Sequence, residues 1–273
     1  MATSAVGVRL DRRKEVVLVL TKVLLLLVGA GTAAVPLACS SSDAEPDPGD
    51  DGAAIAPAGL DVTLEPGGAG VLDLVGLTLR DGPGGLELYA ALKNDGDVPA
   101  CDAAFKVTLY DRAAQPLGSW INGLHTKHFF RYALPDGSST IAACASPGDV
   151  TMAQLFTMAA DLAVADVGQV VYYYSYFALD AVPVDGLTVS GVSAVLTDGG
   201  TSYTGTVVNE LDLTASSPSV TVFPVNRVGR PLAAASSTGA SALPPGASWT
   251  FQTEVAGAQG AGFAAYPAAS FGD

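Results

Sequence analysis

The feature that most constrains the fold of this chain is an internal repeat at a separation of 115 residues. Residues 71–118 align without a gap on residues 186–233, and 11 of the 48 positions are identical. Several identical positions hold residues that form turns, namely Gly76 and Gly191, Asn94 and Asn209, and Pro116 and Pro231. Such residues are what two copies of one small, turn-rich unit retain. We therefore predict two related units, copy one at residues 59–182 and copy two at residues 183–273.

Both copies show the period-two alternation of a β-strand. Apolar residues fall at every second position of residues 86–93 and 105–109, and copy two matches them at 203–207 and 220–222. The chain is rich in Gly and Pro and only 15% charged, a balance that favours short strands over long helices. The pattern predicts an all-β fold of antiparallel sandwiches. Residues 150–165 fit either a strand that follows the Pro147-Gly148 turn or a short helix.

One family shares this order of strands and turns. An Asn-x-x-Asp after one strand, the run Val107–Asp111, and a Pro-Gly turn before another strand resemble the FxLYD-type immunoglobulin-like domains of bacterial surface lipoproteins. Val107 stands where that family has Phe. The resemblance covers residues 70–180 and, more faintly, 186–270. It implies tandem immunoglobulin-like β-sandwiches that serve as binding or spacer modules and carry no general chemistry.

Copy one contains an insertion that copy two lacks, between Gly118 and the Pro147-Gly148 turn. The insertion holds Trp120 and both histidines of the chain, His125 and His128. Loops that carry aromatic and charged residues on a rigid sandwich often bind partners. Two imidazoles at this spacing would converge on a helical turn, but a metal site needs further ligands that the sequence does not offer. The alternative is a hairpin whose aromatic residues cover a sheet, and we predict no cofactor or metal.

A tyrosine-rich run spans residues 170–177 and includes Tyr172 and Tyr174. It has two interpretations. The run is a platform on which sugars stack, or it is a strand whose two faces are both covered. The second interpretation is the more common one for such a run, because an exposed apolar stripe promotes aggregation.

Only two cysteines follow Cys39, and both lie in copy one. Cys101 and Cys144 correspond to Ser216 and Ala242 of copy two. A pair of cysteines in one exported domain predicts a disulfide. That bond would close a loop around the insertion.

The N-terminal part of the chain predicts export. Residues 1–22 carry five basic residues, residues 23–38 are apolar, and Cys39 follows Ala38. This order resembles the signal peptide of bacterial lipoproteins, in which the cysteine is acylated and the chain is cut before it. That resemblance implies a signal peptide at 1–38, a lipid anchor on Cys39 and a location in the cell envelope. Leu37 and Pro36 depart from the usual cleavage motif, so a plain anchor helix over residues 16–28 is the alternative.

Residues 39–58 are rich in Ser, Pro, Gly and Asp and predict a disordered linker. Ser40 is not the Asp that retains such lipoproteins in the inner membrane, so the resemblance implies the outer membrane. The net charge of −14 disfavours nucleic-acid binding, which needs a basic surface.

No catalytic pattern is present: the chain lacks Gly-x-Ser-x-Gly, a phosphate-binding glycine loop and His-Glu-x-x-His. We therefore expect a lipid-anchored, non-enzymatic envelope protein that acts as an interaction or spacer module for an unknown envelope protein. The alternative is a surface lipoprotein that binds a glycan or a small ligand through Trp120, His125, His128, Tyr172 and Tyr174.

Overall fold

The fold is all-β. The computed structural model describes residues 56–65, 71–126, 128–133, 138–155, 160–178, 182–239 and 241–271. Within these ranges the chain forms 16 strands and one short 3-10 helix, η1 at Val164–Asp166. The predicted signal peptide, Cys39 and most of the predicted linker lie outside the described residues.

The strands of copy one are β1 (Asp61–Leu64), β2 (Leu72–Gly82), β3 (Gly85–Asn94), β4 (Ala100–Tyr110), β5 (Pro116–Gly123), β6 (His128–Ala133), β7 (Ser139–Ala145), β8 (Val150–Leu155) and β9 (Gln169–Ala178). Strand β10 (Val182–Val184) connects the copies. Copy two contains β11 (Leu187–Thr197), β12 (Gly200–Asn209), β13 (Ala215–Val225), β14 (Ala235–Thr238), β15 (Ser248–Ala256) and β16 (Gly262–Phe271). The chain at 150–155 is therefore a strand and not the alternative helix, while residues 156–159 of the predicted range lie outside the described residues.

The repeat is visible in the strand bounds. Strands β11, β12 and β13 begin and end 115 residues after β2, β3 and β4. A bulge recurs as well, because Asp102 and Ser217 have positive φ angles of 47° and 49° where the register of β4 and of β13 shifts. Each copy thus contains the same three-strand run with the same irregularity.

Four sheets stack on one another. In copy one, β1-β9-β4-β5 packs on β2-β3-β8, and in copy two β14-β13-β16 packs on β11-β12-β15. The sheet β2-β3-β8 has a second neighbour, because Tyr89, Ala91 and Met152 on its other face join the same buried cluster as the core of copy two. The sheet is therefore covered on both faces. The two inner sheets of the stack meet at what we call the junction.

The apolar alternation predicted from the sequence forms the core of copy one. Leu86, Leu88, Ala90 and Leu92 are fully buried on one face of β3, and Phe105, Val107 and Leu109 are fully buried on β4. Burying each of the Leu, Phe and Val side chains contributes about 1.5–3 kcal/mol, so these faces fix the register of β3 and β4.

One asparagine in each copy holds equivalent loops together. The amide of buried Asn94 donates to the carbonyl oxygens of Val98 and Ala145, at 2.9 and 2.8 Å. The amide of Asn209 donates to the carbonyl oxygens of Leu213 and Leu243, both at 2.8 Å. In both copies the backbone N–H of the Pro-Gly turn glycine, Gly148 or Gly246, donates to the carbonyl oxygen of that asparagine. The asparagine is therefore present in both copies because its side chain makes the same hydrogen bonds in each.

Candidate functional site: the insertion and the junction

The insertion of copy one forms a hairpin that reaches copy two. Strands β6 and β7 pair antiparallel, and β7 is attached to β4 through the register pair Cys101 and Cys144. The other edge of β6 pairs with β10, so the connection between the copies is itself a strand of this sheet. The insertion is thus a hairpin, as one of the two interpretations predicted, and it fixes the start of copy two.

Two side chains of β6 extend the contact. Phe129 is buried, lies against Gly186 and meets Phe271 edge-on with a centroid distance of 5.4 Å. Arg131 forms an ion pair with Asp212 of copy two at 2.9 Å. The ion pair is exposed and adds little free energy, whereas the buried ring of Phe129 adds about 1.5–3 kcal/mol. The hairpin therefore acts as a clamp between the copies, mainly through Phe129 and the pairing of β10.

His125 lies within the junction and not on an exposed loop. Its backbone forms two hydrogen bonds with Met152, and its ring packs edge-on against Phe223 of copy two at 5.2 Å and near Tyr266 at 6.2 Å. Burial lowers the pKa of His125 to about 4. Its Nδ1 has no hydrogen-bond partner among the described residues. A neutral imidazole in this position is an aromatic packing residue.

His128 lies at the surface. Its Nε2 lies 3.1 Å from Asp149, and half of its side chain is exposed. The chain between the two histidines does not form a helical turn in the described residues, because His125 makes an isolated β-bridge and His128 begins β6. The helical arrangement predicted for the two imidazoles is therefore absent. Within the described ranges no group of three or more His, Cys, Asp and Glu side chains is arranged to hold a metal ion.

Trp120 and Tyr172 lie in one row of the first sheet. Both pair with Val107, Trp120 from β5 and Tyr172 from β9, so all three point towards the core of copy one. Tyr174 on the same face is buried, and burial raises the pKa of both Tyr172 and Tyr174. The structure therefore brings Trp120 and Tyr172 together but uses their rings for packing. Among the described residues, the aromatic ring contacts of Tyr172 and of His125 involve different partners, Phe105 for Tyr172 and Phe223 and Tyr266 for His125.

The disulfide predicted between Cys101 and Cys144 is present and fully buried. It lies beneath Phe130 and Tyr132 of β6. The loop that it closes contains β5 and β6, so the bond ties the base of the insertion hairpin to β4. Burial also raises the pKa of the neighbouring Asp102, while its hydrogen bond from Tyr132 acts in the opposite direction.

Sequence reasoning missed a polar network at the junction. Arg80 Nε donates to Glu87 Oε2 at 2.6 Å, the hydroxyl of Tyr89 donates to the same oxygen at 2.7 Å, and Arg80 Nη1 reaches the carbonyl oxygen of Ala256 at 3.3 Å. Thr78 adds a hydrogen bond to the carbonyl oxygen of Pro231 at 2.6 Å. These residues alternate with the buried leucines of β2 and β3, a pattern that predicts a solvated face. Only the position of copy two shows that the face is covered.

Comparison with known proteins gives no assignment. No family model matches the chain, and no curated protein matches it. Among solved structures, a transglutaminase from red sea bream is similar at 10% identity with a TM-score of 0.20, over 69% of this chain and 27% of that protein. The chain thus spans about a quarter of that structure. No helix of the described residues is long and apolar enough to cross a membrane.

Proposed function

We propose that this protein is a lipid-anchored, exported envelope protein that acts as a non-enzymatic interaction or spacer module. The observation that carries the proposal is the buried Cys101–Cys144 disulfide. The remaining cysteine of the chain, Cys39, follows an apolar segment. Disulfides form and persist in oxidising compartments outside the cytosol. An acylated Cys39 would hold the sandwiches at the membrane surface through the linker of residues 40–58.

The stacked sheets support a spacer role. The copies meet through buried rings, a paired connecting strand and a polar network, so they resist bending about the junction. A spacer needs such stiffness, because a flexible joint would not hold a partner at a set distance from the membrane.

We do not extend the proposal to a glycan or small ligand held by Trp120, Tyr172 and Tyr174. These three rings pack towards the core of copy one, where a sugar would have to displace them. A shallow polar groove does lie between the hairpin and copy two, lined by Arg131, Ser139, Thr140 and Asp212. Arg131 is already neutralised there by Asp212.

Fractionation of cells that express the full chain tests the anchor. The parent protein should sediment with membranes and be extracted only by detergent, whereas Cys39→Ser should leave the membrane fraction or accumulate as an uncut precursor. Ser41→Ala is the matched control and should fractionate like the parent. Membrane retention of Cys39→Ser without any change in apparent mass would refute the lipid anchor.

A further inference from the structure

The outer edge of strand β11 is open along residues 193–197. Strand β11 pairs only with β12 among the described strands, and the pairing is regular from Ser193↔Thr204 to Thr197↔Gly200. Val195 and Leu196 are 62% and 64% exposed, although they are large apolar residues on adjacent positions of the strand. An edge of this kind offers unpaired backbone N–H and C=O groups and an apolar surface to another strand.

The same edge in copy one is protected by charge. Val195 and Leu196 correspond, 115 residues earlier, to Arg80 and Asp81. Arg80 is paired with Glu87 and contacts Ala256, and Asp81 accepts a hydrogen bond from the backbone N–H of Val164 at 2.8 Å. Charged residues on an edge strand prevent unwanted strand pairing. Copy two carries aliphatic side chains at both positions.

Copy one also covers this edge with its own chain. The connection from β8 to β9 contains η1, whose residues contact β2, and Leu162 and Val164 pack against the core beside it. The corresponding connection in copy two runs only from Ala256 to Gly262 and contains no such helix. The edge of β11 thus lacks both the charged residues and the covering η1 segment that protect the edge of β2.

We propose that β11 pairs antiparallel with β11 of a second molecule of this protein, with Val195 at the two-fold axis. A strand with a two-fold axis through one of its residues is its own complement, which is what an isologous interface requires. This register places Val195 against Val195 of the second molecule, and Leu196 against the second molecule's Ala194. Each exposed aliphatic side chain then meets an aliphatic neighbour, and the two three-stranded sheets become one sheet of six strands.

The charge distribution along β11 favours a second molecule of this protein as the pairing partner. The segment 191–197 is uncharged in a chain whose net charge is −14. The flanking Asp198 would lie opposite Val192 of the second molecule. The two Asp198 carboxylates would be separated by about 20 Å along the strands, beyond the Debye length at physiological salt. Two acidic molecules can therefore approach at this edge without placing like charges opposite each other, and the small contact predicts a weak, concentration-dependent dimer.

Oxidative cross-linking of the purified full chain in mild detergent tests the pairing. Val195→Cys should yield a disulfide-linked dimer several-fold above the level of the parent chain, which sets the background due to Cys39. The matched control is Val228→Cys, since Val228 is similarly exposed at 50% but lies in a turn of copy two. A mixture of Ala194→Cys and Leu196→Cys molecules should cross-link more than either variant alone, because these positions face each other in the proposed register.

Analytical ultracentrifugation provides the second measurement. The parent chain should show a concentration-dependent shift towards dimer, and Leu196→Lys should abolish it while Val228→Lys leaves it unchanged. Equal cross-linking of Val195→Cys and Val228→Cys, or a parent chain that sediments as a monomer at every concentration, would overturn the proposal. Either result would mean that the edge is unoccupied or is taken by a different protein.

Discussion

Phe223 and Thr108 occupy the same position of the repeat but face opposite environments. Phe223 on β13 is fully buried in the junction and packs edge-on against His125 and Tyr266. Thr108 on β4 lies on the outer face of the stack, where its hydroxyl bonds to Ser119 at 2.6 Å. The same contrast separates Tyr89, which is buried in the junction, from its equivalent Thr204 on the opposite outer face. The two copies are thus specialised at these positions, with aromatic residues where they meet and hydroxyl residues on the equivalent outer faces.

Reciprocal swaps at this position should have unequal effects. Phe223→Thr should lower the free energy of unfolding by about 3 kcal/mol, since it removes a buried ring and leaves a cavity in the junction. Thr108→Phe should change it by less than about 0.5 kcal/mol, because surface substitutions away from the core are usually this small. Urea denaturation of both variants measures the difference. Equal destabilisation would contradict the assignment of Phe223 to a buried junction.

Acid should weaken the protein through His125. Its folded pKa of about 4 lies below the ordinary value of 6.5, so the unfolded chain binds the proton more readily. Protonation of His125 therefore does not reduce the free energy of unfolding above pH 6.5. As the pH drops from 6.5 towards 4, the free energy of unfolding falls by up to about 3 kcal/mol.

The variant His125→Phe should remove this part of the pH dependence. His128→Gln is its control, because His128 is half exposed and lies beside Asp149. Thermal unfolding midpoints between pH 7 and pH 4 measure both. A parent protein and His125→Phe variant with the same pH dependence would show that His125 does not oppose protonation in the folded state.

Removal of the disulfide should cost stability without changing the fold. Copy two already has Ser216 and Ala242 at the two positions and retains the same bulge, so the double variant Cys101→Ser, Cys144→Ala gives copy one the residues of copy two. The expected loss is about 3–4 kcal/mol from the loop that the bond closes. Urea denaturation measures the loss of stability, and circular dichroism shows whether the fold is unchanged. Loss of the β-sheet spectrum at low temperature would mean that the bond is needed for folding itself.

The two repeat asparagines should be equally important. Asn94→Ala and Asn209→Ala each remove two hydrogen bonds from a buried amide to carbonyl oxygens, and each should lower the free energy of unfolding by about 2–4 kcal/mol. Asn122→Ala serves as a comparison, since Asn122 is only partly buried and donates one hydrogen bond, to the carbonyl oxygen of Gln154. Comparable losses at positions 94 and 209, larger than at 122, would support their shared role. A neutral Asn209→Ala would contradict it.

Much of the fold follows from local sequence pattern. The alternation in residues 86–93 and 105–109 gave the inward faces of β3 and β4, and the pair Cys101 and Cys144 formed the predicted bond. These features depend on spacing within one strand or on the residue type alone. The repeat at a separation of 115 residues then predicted the strands of copy two from those of copy one.

The junction could not be predicted in the same way. Tyr89 lies on the face of β3 that alternation assigns to solvent, yet it is buried in the junction. His125 packs against Phe223 of copy two, which is 98 residues away along the chain. The sequence placed the histidines in a loop available for binding, whereas the fold places His125 inside the stack and leaves only His128 at the surface. Burial of these residues depends on how two sheets meet, which period-two alternation does not encode.

Mass spectrometry of the N-terminus of the mature protein is the most direct test of the proposed function. We predict a mature chain that begins at Cys39, with the mass of a diacylglycerol group on the thiol and a further acyl group on the new amino terminus. A mature chain that begins upstream of Cys39, or one in which Cys39 carries no lipid, would contradict it.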